Sequence, residues 1–208
     1  MNATIKPQII EALNSTGRPG IVKLIEYLEL SDYFTAPSST MYHDESEGGL
    51  ALHSWYVYRL LAHKNTMLKL NIPNASIIIT GLLHDLCKVD TYIMGKKWTK
   101  NEATGYKWIQ EPVWQVVDME PLGHGEKSLL IINRYIRLTM EESMMIRWHM
   151  GMSEAGVHFR YPTGYAFNRA KELCPGITAI HTADMEAILR TREEIDPEIV
   201  EGHRKLYA

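Results

Sequence analysis

The stretch PNASIIITGLLHDLCK, residues 73–88, decides the fold. Proline stands at a favoured first helical position, and the residues after it are apolar nearly all round, as in a helix buried at the centre of a bundle. The spacing predicts a helix from Pro73 to Lys88, with His84 and Asp85 near its C-terminal end.

On either side the same period recurs. Upstream, PGIVKLIEYLEL from Pro19 places Ile21, Leu24, Ile25 and Leu28 on one helical face, after a Gly-Arg-Pro-Gly turn. Gly48-Gly49 then opens LALHSWYVYRLLAHKNTMLKL, about five turns of mixed three and four spacing, with His53 in the first turns.

Downstream, residues 92–118 change character. Aromatic and β-branched residues with glycine and proline punctuation predict a small β-hairpin, placed as a rim or lid over a site. Helical period returns in HGEKSLLIINRYIRL, which puts His124 near a helix start, and Thr139-Met140-Glu141-Glu142 gives a capping-box pattern before SMMIRWHM, which puts His149 near a helix end. A loop from Gly151 to Pro162 precedes YAFNRAKEL, and a last helix from about Gly176 to Thr191 carries His181 and Asp184 one turn apart on one face. The expected architecture is all-α, a helical bundle with one β-hairpin insertion. It forms a single domain with a core of about 48–191, an N-terminal helical segment 1–47 and a short charged tail.

Composition agrees. The 208 residues, 45% hydrophobic and 23% charged, suffice for one core of good size. A net charge of −3 gives no overall basic field, so nucleic acid as a partner is possible but unsupported by charge. Cys87 and Cys174 form no C-x-x-C pair, which fits a reducing cytoplasm, and no apolar run is long enough to span a bilayer. Oligomeric state is not readable from the sequence.

Six residues spread over the predicted helices form a candidate metal cluster: His53, His84, Asp85, His124, His149 and Asp184. Imidazole and carboxylate suit zinc, iron, manganese, nickel or cobalt. With two oxygens, Asp85 can bridge two cations. Such a pair, about 3.5–4 Å apart, turns a bridging water into hydroxide near neutral pH and neutralises charge on a phosphoryl group.

The ordered segments GGLALH, GLLHDLCK, GHGEKS, IRWHMG and AIHTADMEA, from about Gly48 to Ala187, resemble the HD superfamily of metal-dependent phosphohydrolases. They look most like stand-alone phage and bacterial HD proteins and the HD domain of bacterial 3′-5′ exoribonucleases. The resemblance implies that His53, His84, Asp85 and Asp184 hold one divalent metal. It further implies that His124 and His149 complete a second site, with Asp85 as the bridge. The chain has no room for the separate N-terminal OB-fold that grips RNA in those nucleases.

The expected activity is hydrolysis of a phosphate ester in a nucleotide or related small molecule, with Asp85, Lys88 and His181 as the catalytic set. Two alternatives stand beside it. One is a phosphodiesterase or 3′-5′ exonuclease on nucleic acid or a cyclic nucleotide; the other is a ligand-binding module with a structural metal. The HD-x-x-K pattern implies that Lys88 contacts a substrate phosphate, although a lysine there also complements a helix dipole. His181 reads as a supporting or packing group, or as a proton donor. Arg160 and Tyr161 offer phosphate and base contacts or simply an exposed loop. Trp98, Trp108 and Trp114 read first as cross-strand packing and second as a stacking surface for a base.

Overall fold

The computed structural model describes residues 2–39, 47–101, 105–152 and 163–195. Among these, helices α1 (Asn2–Ser15) and α2 (Ile21–Leu30) precede α3 (Gly49–Leu68) and α4 (Asn74–Leu83). The strands β1 (Tyr92–Asn101) and β2 (Lys107–Val116) follow, and then α5 (His124–Asn133), α6 (Met140–Arg147), α7 (Thr163–Leu173) and α8 (Gly176–Ile195). Over the described residues the protein is mainly helical with one two-stranded antiparallel sheet. No described helix is long and apolar enough to cross a membrane.

The face predicted for α2 is the buried one: Ile21, Leu24, Ile25 and Leu28. In α4 every residue from Ser76 to Leu83 is buried, as its all-round apolar sequence requires. Its two polar groups are satisfied locally: the Thr80 hydroxyl donates to the Ser76 carbonyl at 2.7 Å and the Ser76 hydroxyl to Glu142 at 2.7 Å.

The helix does not run to Lys88. It ends at Leu83; His84 keeps right-handed helical angles, Asp85 leaves them at φ −102° and ψ 24°, and Leu86–Lys88 form a single 3-10 turn. A carboxylate at a helix C-terminus meets the negative end of the dipole, so the chain breaks where Asp85 enters.

The capping box before α6 forms as expected. Thr139 Oγ1 accepts from the Glu142 amide at 3.1 Å, and the Thr139 amide donates to Glu142 Oε2 at 2.8 Å. The predicted helical segment at the N-terminus contains α1, which the sequence patterns above did not delimit.

Among the described residues, two apolar clusters make up the interior. One joins Ile9 and Leu13 of α1, Leu24 and Leu28 of α2, Ile78, Ile79, Leu82 and Leu83 of α4, Ile131 and Ile132 of α5, and Ile146 of α6. The other joins Val57 and Leu61 of α3, Met145 of α6, Ala170 of α7, and Ile177, Ile180, Ala183 and Ala187 of α8. Met145, fully buried, fills space in this second cluster with its flexible thioether chain. The long helix α3 packs along α8 and across α4, and so lies between the clusters.

The hairpin pairs in simple register, from Tyr92 opposite Val116 to Lys100 opposite Trp108. Its tryptophans do not pack as cross-strand partners of one another: Met94 faces Trp114, Lys100 faces Trp108, and Trp98 faces Gln110. Trp98 and Trp108 stay 59% and 61% exposed.

Candidate metal centre

His53 comes from the buried first turns of α3, His84 and Asp85 from the break after α4, and Asp184 from α8. One ligand-type atom from each of these four lies within 4.8 Å of all the others. His53, His84 and Asp85 are 4%, 0% and 2% exposed, an environment that tolerates charged and polar atoms only when they are compensated.

A close helix crossing makes the convergence possible. A Cβ on Gly81 would stand 2.5 Å from Tyr58 Cα, so only glycine lets α4 approach α3 this nearly. The His53 and His84 rings thereby come to 5.4 Å between centroids.

The histidine orientations follow from their backbone partners. His84 Nδ1 donates to the Gly81 carbonyl at 3.0 Å, and His149 Nδ1 to the Ile146 carbonyl at 2.7 Å. Each bond places a proton on Nδ1 and turns Nε2 inward. His53 Nε2 lies 2.9 Å from Asp184 Oδ1, and His84 Nε2 lies 3.6 Å from the same oxygen.

Asp85 divides its carboxylate. Oδ2 faces Lys88 Nζ at 2.7 Å, His84 Nε2 at 3.5 Å and His53 Nε2 at 3.8 Å, while Oδ1 faces His149 Nε2 at 3.3 Å. The buried atoms His84 Nε2, Asp85 Oδ1 and His149 Nε2 have no hydrogen-bond partner. Three orphaned polar atoms directed at one another are what metal ligands look like without their ion, and imidazole plus carboxylate is a fitting donor set.

The electrostatics agree. Burial alone would raise the Asp85 carboxyl, but Lys88, His84 and His149 hold it well below the ordinary carboxylate range. At Asp184 burial likewise acts upward and is outweighed chiefly by the hydrogen bond to His53, so this carboxyl too is held low. For Lys88 the opposition is reversed: burial favours the neutral amine, and Asp85 outweighs it and raises the pKa. Two carboxylates against one ammonium leave a negative charge in excess wherever the imidazoles are neutral, a charge that a bound divalent cation would compensate.

His124 does not join the first four ligands. It approaches Asp85 together with Cys87, again with one ligand-type atom from each within 4.8 Å. Gly125 permits this: a Cβ there would lie 2.4 Å from the Arg147 carbonyl oxygen, so the start of α5 sits directly on the end of α6. Cys87 was not singled out by the sequence reading, although its place two residues after Asp85 was the available signal. Burial, followed by the charge of Asp85, pushes its thiol up to about 12.

His181 donates from Nδ1 to the His149 carbonyl at 2.6 Å and packs on Gly151. It therefore supports the turn that carries His149. Arg160 and Tyr161 lie outside the described residues. Tyr92, at the root of the hairpin, is raised by burial and feels the charges of Lys88 and Asp85.

No family model matches this sequence, and neither a curated protein nor a solved structure matches it. The buried His53, His84, Asp85 and Asp184 cluster is compatible with a metal site of the HD type.

Proposed function

We propose that this protein is a metal-dependent phosphohydrolase of the HD type, acting on a phosphate ester of a nucleotide or related molecule. The observation that carries the reading is the divided carboxylate of Asp85, with one oxygen toward His53 and His84 and the other toward His149. A carboxylate so placed can serve two ligand sets at once.

His53, His84, Asp85 and Asp184 would hold one divalent ion, and Asp85 with His124 and His149 a second, drawn from manganese, iron, nickel, cobalt or zinc. Bound there, such ions supply an activated water and neutralise phosphoryl charge. The chain's own groups supply the rest. Lys88 keeps its proton, has a side chain 17% exposed, and can reach a phosphate oxygen as a compact point charge. His181 holds the His149 backbone in place, and in its doubly protonated form its Nε2–H is the proton donor we assign to the leaving oxygen, leaving the neutral Nδ1–H imidazole. The two buried cysteines, Cys87 and Cys174, unlinked to each other, fit a reducing compartment such as the cytoplasm.

The test is elemental analysis of protein purified without chelator, joined to hydrolysis of a chromogenic phosphomonoester and phosphodiester with added manganese, nickel, cobalt or iron. Close to two metals per chain with metal-dependent release is the expected result. A full metal complement with no hydrolysis of either ester class would favour a ligand-binding module with a structural ion.

A further inference from the structure

The hairpin leaves the body of the protein beside the metal centre, and its two faces differ in chemistry. Residues directly opposite in an antiparallel pair share a face, and alternate residues of each strand do so too. By that rule one face carries Tyr92, Met94, Lys96, Trp98 and Lys100 of β1 with Trp108, Gln110, Pro112, Trp114 and Val116 of β2. All three hairpin tryptophans and Tyr92 fall on it, interleaved with Lys96 and Lys100 and with no acidic residue. The opposite face holds Glu111 and none of the aromatics.

This aromatic face is not turned into the core. Met94, Trp98, Trp108 and Val116 are 55%, 59%, 61% and 59% exposed. Lys100 lies over the Trp108 ring, 5.2 Å from its centroid. The two strands carry four lysines, Lys96, Lys97, Lys100 and Lys107, against Glu111, on a chain whose formal net charge is −3. Positive charge is thus concentrated on an arm that the net charge conceals.

We propose that this face of the hairpin is a binding platform for single-stranded nucleic acid. Bases stack on the exposed tryptophans, and Lys96 and Lys100 meet the phosphates. Stacking needs only a π-face, so sequence preference is weak, and unpaired bases are favoured over a duplex, whose bases are already stacked. Tyr92, paired with Val116 at the base of the same face, follows Lys88 by only four residues, so a strand lying along the platform leads toward the metal centre. The direction of delivery rests on the phosphohydrolase reading; the binding itself does not.

The experiment is fluorescence anisotropy of labelled oligo-dT, oligo-U and a duplex of equal length, titrated with the full chain carrying Asp85→Ala so that no substrate is consumed. Binding of either single strand at least about tenfold tighter than the duplex is expected, together with quenching of tryptophan emission. Trp98→Ala with Trp108→Ala should weaken single-strand binding by about tenfold for each stacked base lost while the thermal midpoint is kept, since both rings are already exposed. Equal affinity for duplex and single strand would overturn the proposal, as would unchanged affinity in the double variant. So would a dimer in sedimentation velocity that the double variant abolishes while no strand is bound, because the face would then join two copies of the chain. If the wild-type chain binds the strand with metal present and never shortens it, the platform stands and delivery of the strand to the metal centre falls; the phosphohydrolase reading falls only if the chromogenic esters are not hydrolysed either.

Discussion

Asp85 combines burial, charge and several partners in one side chain. It is buried, ionised, salt-bridged to Lys88 and turned by its second oxygen toward His149. Asp85→Ala should therefore remove most bound metal and activity together, read by elemental analysis and ester hydrolysis on one preparation. Lys88→Ala should behave differently, keeping the metal while turnover falls by about tenfold or more, because a transition-state charge loses its partner. Equal metal loss in both variants would mean that Lys88 acts by holding Asp85 rather than by meeting substrate. The histidine-aspartate pair was legible in the sequence through its place in the ordered segments GGLALH, GLLHDLCK, GHGEKS, IRWHMG and AIHTADMEA, since the dipeptide alone carries little information. The backbone carbonyls of Gly81 and Ile146 that orient His84 and His149 were not legible, since any residue could supply them.

At the level of the helices, the site depends on two glycines and one buried carboxylate. Gly81→Ala forces a methyl against the Tyr58 backbone, which should cost about 1–3 kcal/mol and weaken metal binding by parting His53 from His84. Thermal melting and a metal titration on the same variant check both effects. Glu142 closes the capping box of α6 and is held there by Arg18 from the α1–α2 turn and by the Ser76 hydroxyl of α4. Burial acts upward on its carboxyl, and Arg18, Thr139 and Ser76 outweigh it, so the group sits below its ordinary value of 4.5. A depressed carboxylate contributes its full stability above that ordinary value and loses it as pH falls through the lower, folded-state one. Glu142→Ala should cost about 3 kcal/mol near neutrality, and Glu142→Gln should flatten the acid limb of a denaturation series below pH 4.5. The capping box was visible as a Thr-x-x-Glu pattern; Arg18, 124 residues distant, was not, because nothing local to either residue marks a long-range pair. The end of α4 was misplaced for a related reason: the apolar pattern continues through Leu86 and Cys87, while the dipole at Asp85 ends the helix.

Across the whole molecule, the hydrophobic pattern was enough to give a helical bundle and a hairpin, since periods of 3.6 and 2 follow from backbone geometry alone. The division of the interior into two clusters needed the structure. The ligands straddle that division: His84 and Asp85 follow α4, whose Leu82 and Leu83 belong to one cluster, while Asp184 follows Ile180 and Ala183 in the other. An ion held by both sides is linked to folding, and at a free concentration a hundred times its dissociation constant it should add about 2.7 kcal/mol to stability, seen as a higher melting temperature that chelator reverses. The break after α4 has a consequence of its own. His84 and Asp85 are successive residues on one short turn and cannot adjust independently, so exchange of one ion for another of different radius should displace α8 relative to that turn. Amide protons along α8, many residues from the ligands, should then exchange with deuterium at rates that depend on which metal is bound, and the pattern of protection along that helix would trace the seam between the two halves of the interior.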